Sequence, residues 1–329
     1  MHTVLLTRII AADGDELYRL AQVQKHITYL HEGIKLWFHP LVQDDIGTVL
    51  SFLCSIKIDV PKFFQTENSS AQHIRILRHL LKHLLAYGEY TLDDMAVSRI
   101  DYCHNIRIED NRTREVLFRM LQKCPVKAIY TTRGIKYATS IYSRSKSKVV
   151  NVYDKNAERI AKYISTGDCS NLPEAYEQDI VRMELQIKAD HLKYMARRGV
   201  RRSAKNWLHT GMEYYYLAKL YGMFPKGNFY TFTRAEKIID SSTYKEKMKE
   251  RLKGFIRIIA DKDMDTARAQ VAYNTYRRYL DMLSAIGVNP ITIPADCGIS
   301  YIQSPFVFPE PPFVTGRKKP FGVHLKPLT

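Results

Sequence analysis

Alternation of apolar and polar residues in three segments constrains the fold of this chain more than any other feature. Successive side chains of a β-strand point to opposite faces, so an alternating segment predicts a strand with one apolar and one polar face. The clearest case is the segment 180–188. Its apolar set is Val181, Met183, Leu185 and Ile187, and its polar set is Arg182, Glu184, Gln186 and Lys188.

Two further segments carry the same pattern. In the segment 96–103, Arg99 and Asp101 share a face. In the segment 148–155, a β-branched run favours a strand on which Tyr153 points away from the valines at alternate positions. If the three strands share a sheet, one side of it carries six polar residues, namely Asp101, Glu184, Tyr153, Lys155, Arg99 and Arg182.

These residue types suit phosphoryl transfer. The carboxylates of Asp101 and Glu184 can bind a hard divalent cation through oxygen. The ammonium of Lys155 is expected to lower the pKa of the Tyr153 phenol, which starts near about 10, and so to activate a nucleophile. Tyr142, on the preceding strand, is the alternative nucleophile. Taken alone, the tyrosine segment is better explained as a surface Tyr–Lys pair on a half-buried strand.

The charge balance indicates a polyanionic partner. The chain has 50 Lys and Arg against 34 Asp and Glu, a net charge of +16 at pH 7. Such an excess favours DNA, RNA or an anionic membrane. The 22 tyrosines suit stacking on unpaired bases as well as ordinary packing.

Two basic runs adjoin the candidate site in sequence and predict contacts with a phosphate backbone. One brackets the tyrosine strand and the other follows the Glu184 strand without an acidic residue. Their members are Arg144, Lys146 and Lys148, and Arg197, Arg198, Arg201 and Arg202. The alternative for both runs is a solvated charged face.

The cysteines and the apolar runs predict a soluble protein in a reducing compartment. The five cysteines are odd in number and include no Cys-x-x-Cys pair, which argues against a zinc ribbon or a disulfide scaffold. The N-terminus lacks a signal-peptide pattern, and no apolar run approaches the ~18 residues that span a bilayer. We therefore expect no membrane association.

The remaining patterns predict an α+β fold: a central, largely antiparallel sheet with flanking helices, then a mostly helical C-terminal region and a Pro-rich basic tail. We expect domains at 1–205, 206–300 and 301–329, the second serving as an accessory or DNA-binding region. Further strands are predicted at 50–60, 127–132 and 135–142, with a turn at 133–134. Helices are predicted at 69–87, 110–123, 156–164, 190–198, 211–221, 234–259 and 263–286.

Three short motifs together resemble a known family. They are Ser98-Arg99-Ile100-Asp101, then Val152-Tyr153-Asp154-Lys155 with Glu158 five residues after the tyrosine, then Val181-Arg182-Met183-Glu184. This combination resembles the replication initiation endonucleases of filamentous bacteriophages and the related initiators of rolling-circle plasmids. The resemblance spans residues from about 50 to 300.

The resemblance implies a site-specific nickase that cuts one strand of a double-stranded origin, leaves a 3′-hydroxyl and later rejoins the displaced single strand. Tyr153 would be the nucleophile, and Asp101 and Glu184 would ligate Mg²⁺ or Mn²⁺. Lys155 and Arg182 would stabilise phosphate charge, and Glu158 would support the site or handle a proton. The implied partners are origin DNA, displaced single-stranded DNA and the host helicase and polymerase, in the cytoplasm of a bacterial host.

The implied reaction needs no nucleotide, because a covalent intermediate conserves the phosphodiester energy. The chain accordingly lacks a Gly-x-x-x-x-Gly-Lys phosphate loop. The alternative function is a non-enzymatic, sequence-specific DNA-binding regulator of replication or transcription. Both functions predict salt-sensitive DNA binding, and only strand cleavage separates them.

Overall fold

An eight-stranded antiparallel sheet organises the protein, in the order β2-β3-β1-β4-β8-β7-β6-β5. The computed structural model describes residues 1–30, 33–125 and 133–307, without the side chains of 28–30 and 133–136. The strands of the sheet are β1 Thr3–Ala11, β2 Ile34–Gln43, β3 Val49–Asp59, β4 Ala96–Arg107, β5 Arg133–Tyr137, β6 Ser140–Arg144, β7 Lys148–Asp154 and β8 Ile180–Ile187. Two short strands, β9 Phe229–Tyr230 and β10 Tyr301–Ile302, pair separately.

Helices flank the sheet and dominate the chain after β8. They are α1 Gly14–Leu30, α2 Val60–Phe64, α3 Ala71–Ala86, α4 Asn111–Leu121, α5 Lys155–Thr166, α6 Ala189–Arg197, α7 Ala204–Trp207, α8 Thr210–Tyr221, α9 Phe232–Asp240, α10 Glu246–Asp261, α11 Met264–Ala269 and α12 Tyr273–Ala285. The predicted α+β class is confirmed. None of the helices among the described residues combines the length and apolar character needed to cross a bilayer.

One face of the sheet packs against helices and forms the core. Tyr102 of β4 is fully buried there, and its ring stacks on Tyr216 of α8 with 5.2 Å between ring centres. Trp207 of α7 is also fully buried and stacks on Tyr216 at 5.9 Å. The helical region beyond residue 205 thus contributes directly to this core. The proposed domain boundaries stay a prediction.

The other face of the sheet carries the polar alternation, and the strand register brings its members together. Asp101 lies opposite Gln186, and Tyr153 lies opposite Arg182. Glu184 is paired on both sides, with Cys103 of β4 and Asn151 of β7. Directly opposed residues of antiparallel strands share a face. Six polar residues were predicted to share one side of the sheet. The five of them that lie within strands do share it.

Lys155 is the exception, because the tyrosine strand ends one residue earlier than predicted. Asp154 adopts extended geometry, and its carboxylate accepts a hydrogen bond from the Ala157 N–H, which caps α5. Lys155 is therefore the first residue of that helix.

Three long predicted elements are each divided in two. The segment 135–142 spans the turn between β5 and β6, and residues 133–134 belong to β5 instead of forming a turn. The predicted helix 234–259 is interrupted between α9 and α10, where the Ser241 and Ser242 hydroxyls donate to helix carbonyls. Such side-chain bonds compete with continued helix. The helix 263–286 is likewise divided between α11 and α12. The predicted strand 127–132 and the basic tail beyond residue 307 lie outside the described residues.

Candidate active site

Three potential metal ligands converge on the polar face. One ligand atom from each of His2, Asp101 and Glu184 lies within 4.8 Å of the others. The strand register explains this meeting: Thr3, next to His2, pairs with Asp101, and β8 follows β4 in the sheet. Two carboxylate oxygens and one imidazole nitrogen form a donor set that suits a divalent cation of Mn²⁺ type, since carboxylates suit Mg²⁺ and Mn²⁺ while imidazole favours transition metals.

Asp101 is fully buried and held by Arg99 on the same strand. The guanidinium donates to both carboxylate oxygens, with Nη2 to Oδ2 at 2.6 Å and Nε to Oδ1 at 3.0 Å. Burial raises the pKa of Asp101, and the charge of Arg99 opposes that shift. Arg99 thus fixes the carboxylate while its own side chain stays 42% exposed.

Glu184 is half-buried beside this carboxylate. Burial and the charge of Asp101 raise the pKa of Glu184 to about 6, against the opposing effect of Arg182 and Arg99. Two carboxyl groups with raised pKa values at close range indicate a site that gains by binding a cation. With a pKa of about 6, the Glu184 carboxyl group is mostly ionised near pH 7.

His2 is the residue that sequence reasoning missed. Burial and the nearby cations, first Arg182 and then Lys155, hold the pKa of His2 well below its usual value. The imidazole is therefore neutral, and its unprotonated Nε2 accepts a hydrogen bond from Nη1 of Arg182 at 2.8 Å, while Nδ1 donates to Oγ1 of Thr3 at 3.0 Å. A metal ligated through Nε2 would take the place of the Arg182 hydrogen bond. A neutral imidazole is the form that ligates metal.

Tyr153 reaches the same group from β7. It is 7% exposed, and its hydroxyl donates to Oε2 of Glu184 at 3.2 Å. Burial and the Glu184 charge raise the pKa of Tyr153 well above 10, with Arg182 opposing. The expectation that this pKa is lowered is wrong, because burial and the nearby carboxylate raise it. Activation of the phenol requires a proton acceptor, and Glu184 is in place.

Two buried cations complete the site. Arg182 is 1% exposed and its Nε donates to Oδ1 of Asn105 at 2.8 Å. Lys155 is 5% exposed, and its Nζ lies 5.9 Å from the centre of the Tyr153 ring. The ammonium is paired with Glu158 at 2.8 Å and with Glu177 at 3.5 Å. Glu158 therefore acts through Lys155, as a group that supports the site.

The alternative nucleophile lies farther out on the same face. Tyr142 of β6 opposes Asn151, which in turn opposes Glu184, so one strand separates Tyr142 from the acidic group. Arg144 is exposed two residues further along β6, opposite Val149. Tyr142 lies close enough to Arg99 to interact with its charge, so it borders the site.

The remaining basic residues are not part of this centre. Lys148 is buried on the opposite, helix-covered face, where burial and Lys219 lower its pKa to about 8. Lys146 is exposed in the turn before β7. The second run lies at the end of α6 and in the segment after it, where Arg202 is hydrogen-bonded to the start of β4: Arg197, Arg198 and Arg201 are exposed, and Arg202 is half-buried and donates to the Val97 carbonyl. Lys148 lies on the same face of β7 as the buried Val150 and Val152, and its contact with DNA stays a prediction.

Among known proteins, no family model matches this chain and no curated sequence matches it. The resemblance to phage initiators stays a prediction.

Proposed function

We propose that this protein is a metal-dependent DNA strand-transferase, a nickase that initiates rolling-circle replication at a phage or plasmid origin through a covalent tyrosyl–DNA intermediate. The observation that carries the proposal is the hydrogen bond between the Tyr153 hydroxyl and Glu184, within a group of three potential metal ligands. A phenol, a proton acceptor, cations and a cation-binding group on one polar face are the parts that phosphodiester transfer requires. The proposed setting is the cytoplasm of a bacterial host.

Each residue has a defined task in the proposed step. The Tyr153 oxygen attacks the phosphorus while its proton passes to the Glu184 carboxylate. An O–P bond forms, the bond between phosphorus and the 3′-oxygen breaks, and that oxygen leaves and takes up a proton as the 3′-hydroxyl. Arg182, whose guanidinium lies in the centre, stabilises charge on the non-bridging oxygens. Reversal of the step, with a new 3′-hydroxyl attacking, rejoins the strand without ATP.

His2, Asp101 and Glu184 would hold the divalent cation, Mg²⁺ or Mn²⁺. When bound, it supplies a Lewis acid that polarises a phosphate oxygen. The donor set favours Mn²⁺ of the two, because Mg²⁺ prefers oxygen ligands alone.

The test is to incubate the full chain with supercoiled DNA that carries a candidate origin, in the presence of Mn²⁺. We expect an open circle that carries covalently attached protein after detergent treatment. Tyr153→Phe should abolish the adduct, whereas Tyr137→Phe, which changes an exposed tyrosine on neighbouring β5, should leave it intact. An adduct that survives in Tyr153→Phe and disappears in Tyr142→Phe would move the nucleophile to β6.

A second candidate is a DNA-binding regulator without catalysis. It is favoured by the exposed basic run at the end of α6 and just after it. It predicts salt-sensitive binding to duplex DNA and an intact strand with every divalent cation tried.

A further inference from the structure

A row of cations crosses the polar face beside the candidate active site. Lys35 of β2 lies opposite Lys57 of β3, Lys57 opposite Leu5 of β1, and Leu5 opposite Arg99 of β4. The pairing of β4 with β8 begins at Ile100 and Ile187. If this register is continued by one residue, Lys188 lies opposite Arg99. Neighbouring strands lie about 4.8 Å apart, so the row extends over roughly 20 Å across five strands.

The row is accessible and leads to the acidic group. Lys35 and Lys57 are exposed, and within the described chain neither has a carboxylate partner. Lys57 lies close enough to Asp101 to interact with its charge. Arg99 belongs both to the row and to the active site, because it holds Asp101 while remaining partly exposed. An anion bound along the row would therefore arrive at the metal ligands.

An exposed aromatic ring lies beside the outer end of the row. Trp37 follows Lys35 by two residues on β2 and shares its face, and the indole is 41% exposed. Asp59 lies on this face two residues from Lys57, and its carboxylate accepts from the Lys62 N–H to cap α2. The row thus combines phosphate-binding charge with a surface on which a base can stack.

We infer that Lys35, Trp37, Lys57 and Arg99 form a track for single-stranded DNA that guides the strand to Tyr153. Unpaired bases expose their faces for stacking on Trp37, whereas a duplex keeps its bases enclosed and offers only phosphates. The exposed indole beside the exposed lysines therefore fits a single strand better than a duplex. This inference specifies how the substrate of the proposed function binds, and it depends on that function for the identity of the strand.

The experiment measures binding of the full chain to a labelled 15-nucleotide single strand by fluorescence anisotropy, in EDTA so that no strand transfer takes place. Each phosphate contact with a single strand contributes about 0.7 to the slope of log K against log salt. Loss of two contacts in Lys35→Gln/Lys57→Gln should lower the slope by about 1.4 and weaken binding roughly 25-fold at 0.1 M salt. Trp37→Ala should weaken binding about tenfold at an unchanged slope, and Trp37→Phe should restore most of the loss.

The matched control is Lys245→Gln/Lys247→Gln, which removes the same charge from exposed positions at the start of α10. It should leave the slope unchanged. Equal losses in the control and the track variant, or equal losses for a duplex of the same length, would overturn the inference.

The covalent-adduct assay separates this inference from the proposed function. If wild-type protein forms the adduct while Lys35→Gln/Lys57→Gln binds the single strand normally, the track is wrong and the nickase stands. If no adduct forms but the selective loss of single-strand binding is observed, the track stands and the nickase is wrong.

Discussion

Asp101 has no exposed surface, yet it lies on the polar face of the sheet. Its carboxylate is held by Arg99 instead of water, and a second carboxylate lies within reach. Burial of a charged group costs free energy unless it is paired or coordinates a metal. Arg99 donates to Asp101, yet burial keeps the pKa values of both Asp101 and Glu184 raised. A bound cation would stabilise the charged form of both carboxylates.

The first prediction concerns metal binding by this group. Asp101→Asn and His2→Ala should each weaken Mn²⁺ binding at least tenfold, because each removes one of three ligands. Mn²⁺ bound to the full chain is measured by electron paramagnetic resonance. The control Asp281→Asn changes an exposed carboxylate on α12 and should bind Mn²⁺ as wild type does. If both variants bind Mn²⁺ with wild-type affinity, these residues do not form a metal site.

Individual residues also show what the sequence could and could not reveal. Lys148 has the same parity as Val150 and Val152, so the alternation already contained the signal that places it on the apolar face. His2 carried no comparable signal. Its position beside Asp101 depends on the pairing of Thr3 with Asp101, which is a long-range register that the residues around His2 do not encode.

At the scale of elements, α6, α8 and β7 meet around His191. Its Nε2 lies 2.8 Å from the Tyr216 hydroxyl. Burial, and then the charges of Lys148 and Lys219, lower its pKa to about 3. In the folded state the ring stays neutral down to that pH, whereas in the unfolded state it takes up a proton below about 6.5. The unfolded state therefore binds more protons in this window, and stability falls as the pH falls.

The second prediction follows from this loss of stability at low pH. Between pH 6.5 and 5, the wild-type protein should lose about 1 kcal/mol of its free energy of unfolding, and His191→Asn should not show this loss. The expected loss is reduced because the ring is partly exposed to solvent, which screens the charges. Urea unfolding at several pH values gives the free energies. Parallel pH profiles for the two proteins would show that His191 does not titrate as described.

The third prediction concerns Gly227, which connects α8 to β9. Its φ is +100°, and an added Cβ would lie 2.5 Å from the Val288 carbonyl carbon. Gly227→Ala should therefore cost about 2–4 kcal/mol, from backbone strain and the clash with a neighbouring backbone. In the control Gly254→Ala, within α10, nothing lies within 4 Å of the added Cβ, and a gain of about 0.5–1 kcal/mol is expected. Urea unfolding that ranks the two variants alike would contradict the local geometry.

Element boundaries were predicted well where side-chain chemistry marks them. The serine at the start of α3 is an example, since the Ser70 hydroxyl accepts from the His73 N–H. The extent of regular structure was predicted less well where local bonds compete with it. The serines after α9 end a helix that the apolar period alone would continue. α1 is not among the helices predicted from the sequence.

Over the whole molecule, one sheet separates two kinds of surface. Helices cover the apolar face, and the core they form includes residues from both the N-terminal and the C-terminal half. The polar face holds the candidate site and the cation row. Alternation along each strand predicted this division of faces. Strand order and register depend on long-range packing, and they decide which residues of different strands lie next to each other.

The fourth prediction compares the two tryptophans, one on each side of the sheet. Trp207 is fully buried, so Trp207→Ala should destabilise the protein by about 3–5 kcal/mol through lost burial and the resulting cavity. Trp37 is 41% exposed on the polar face, and Trp37→Ala should cost less than about 1 kcal/mol. Chemical denaturation monitored by circular dichroism measures both. Similar losses would mean that the two faces are not distinct.

The most direct measurement is to identify the peptide that remains attached to DNA after nicking with Mn²⁺. Digestion with protease, followed by mass spectrometry of the nucleotide-bearing fragment, locates the phosphorylated residue. We predict a phosphodiester-linked nucleotide on Tyr153 and on no other tyrosine. Attachment to Tyr142 or another residue, or the absence of any attached peptide from DNA that has been cut, would contradict the account.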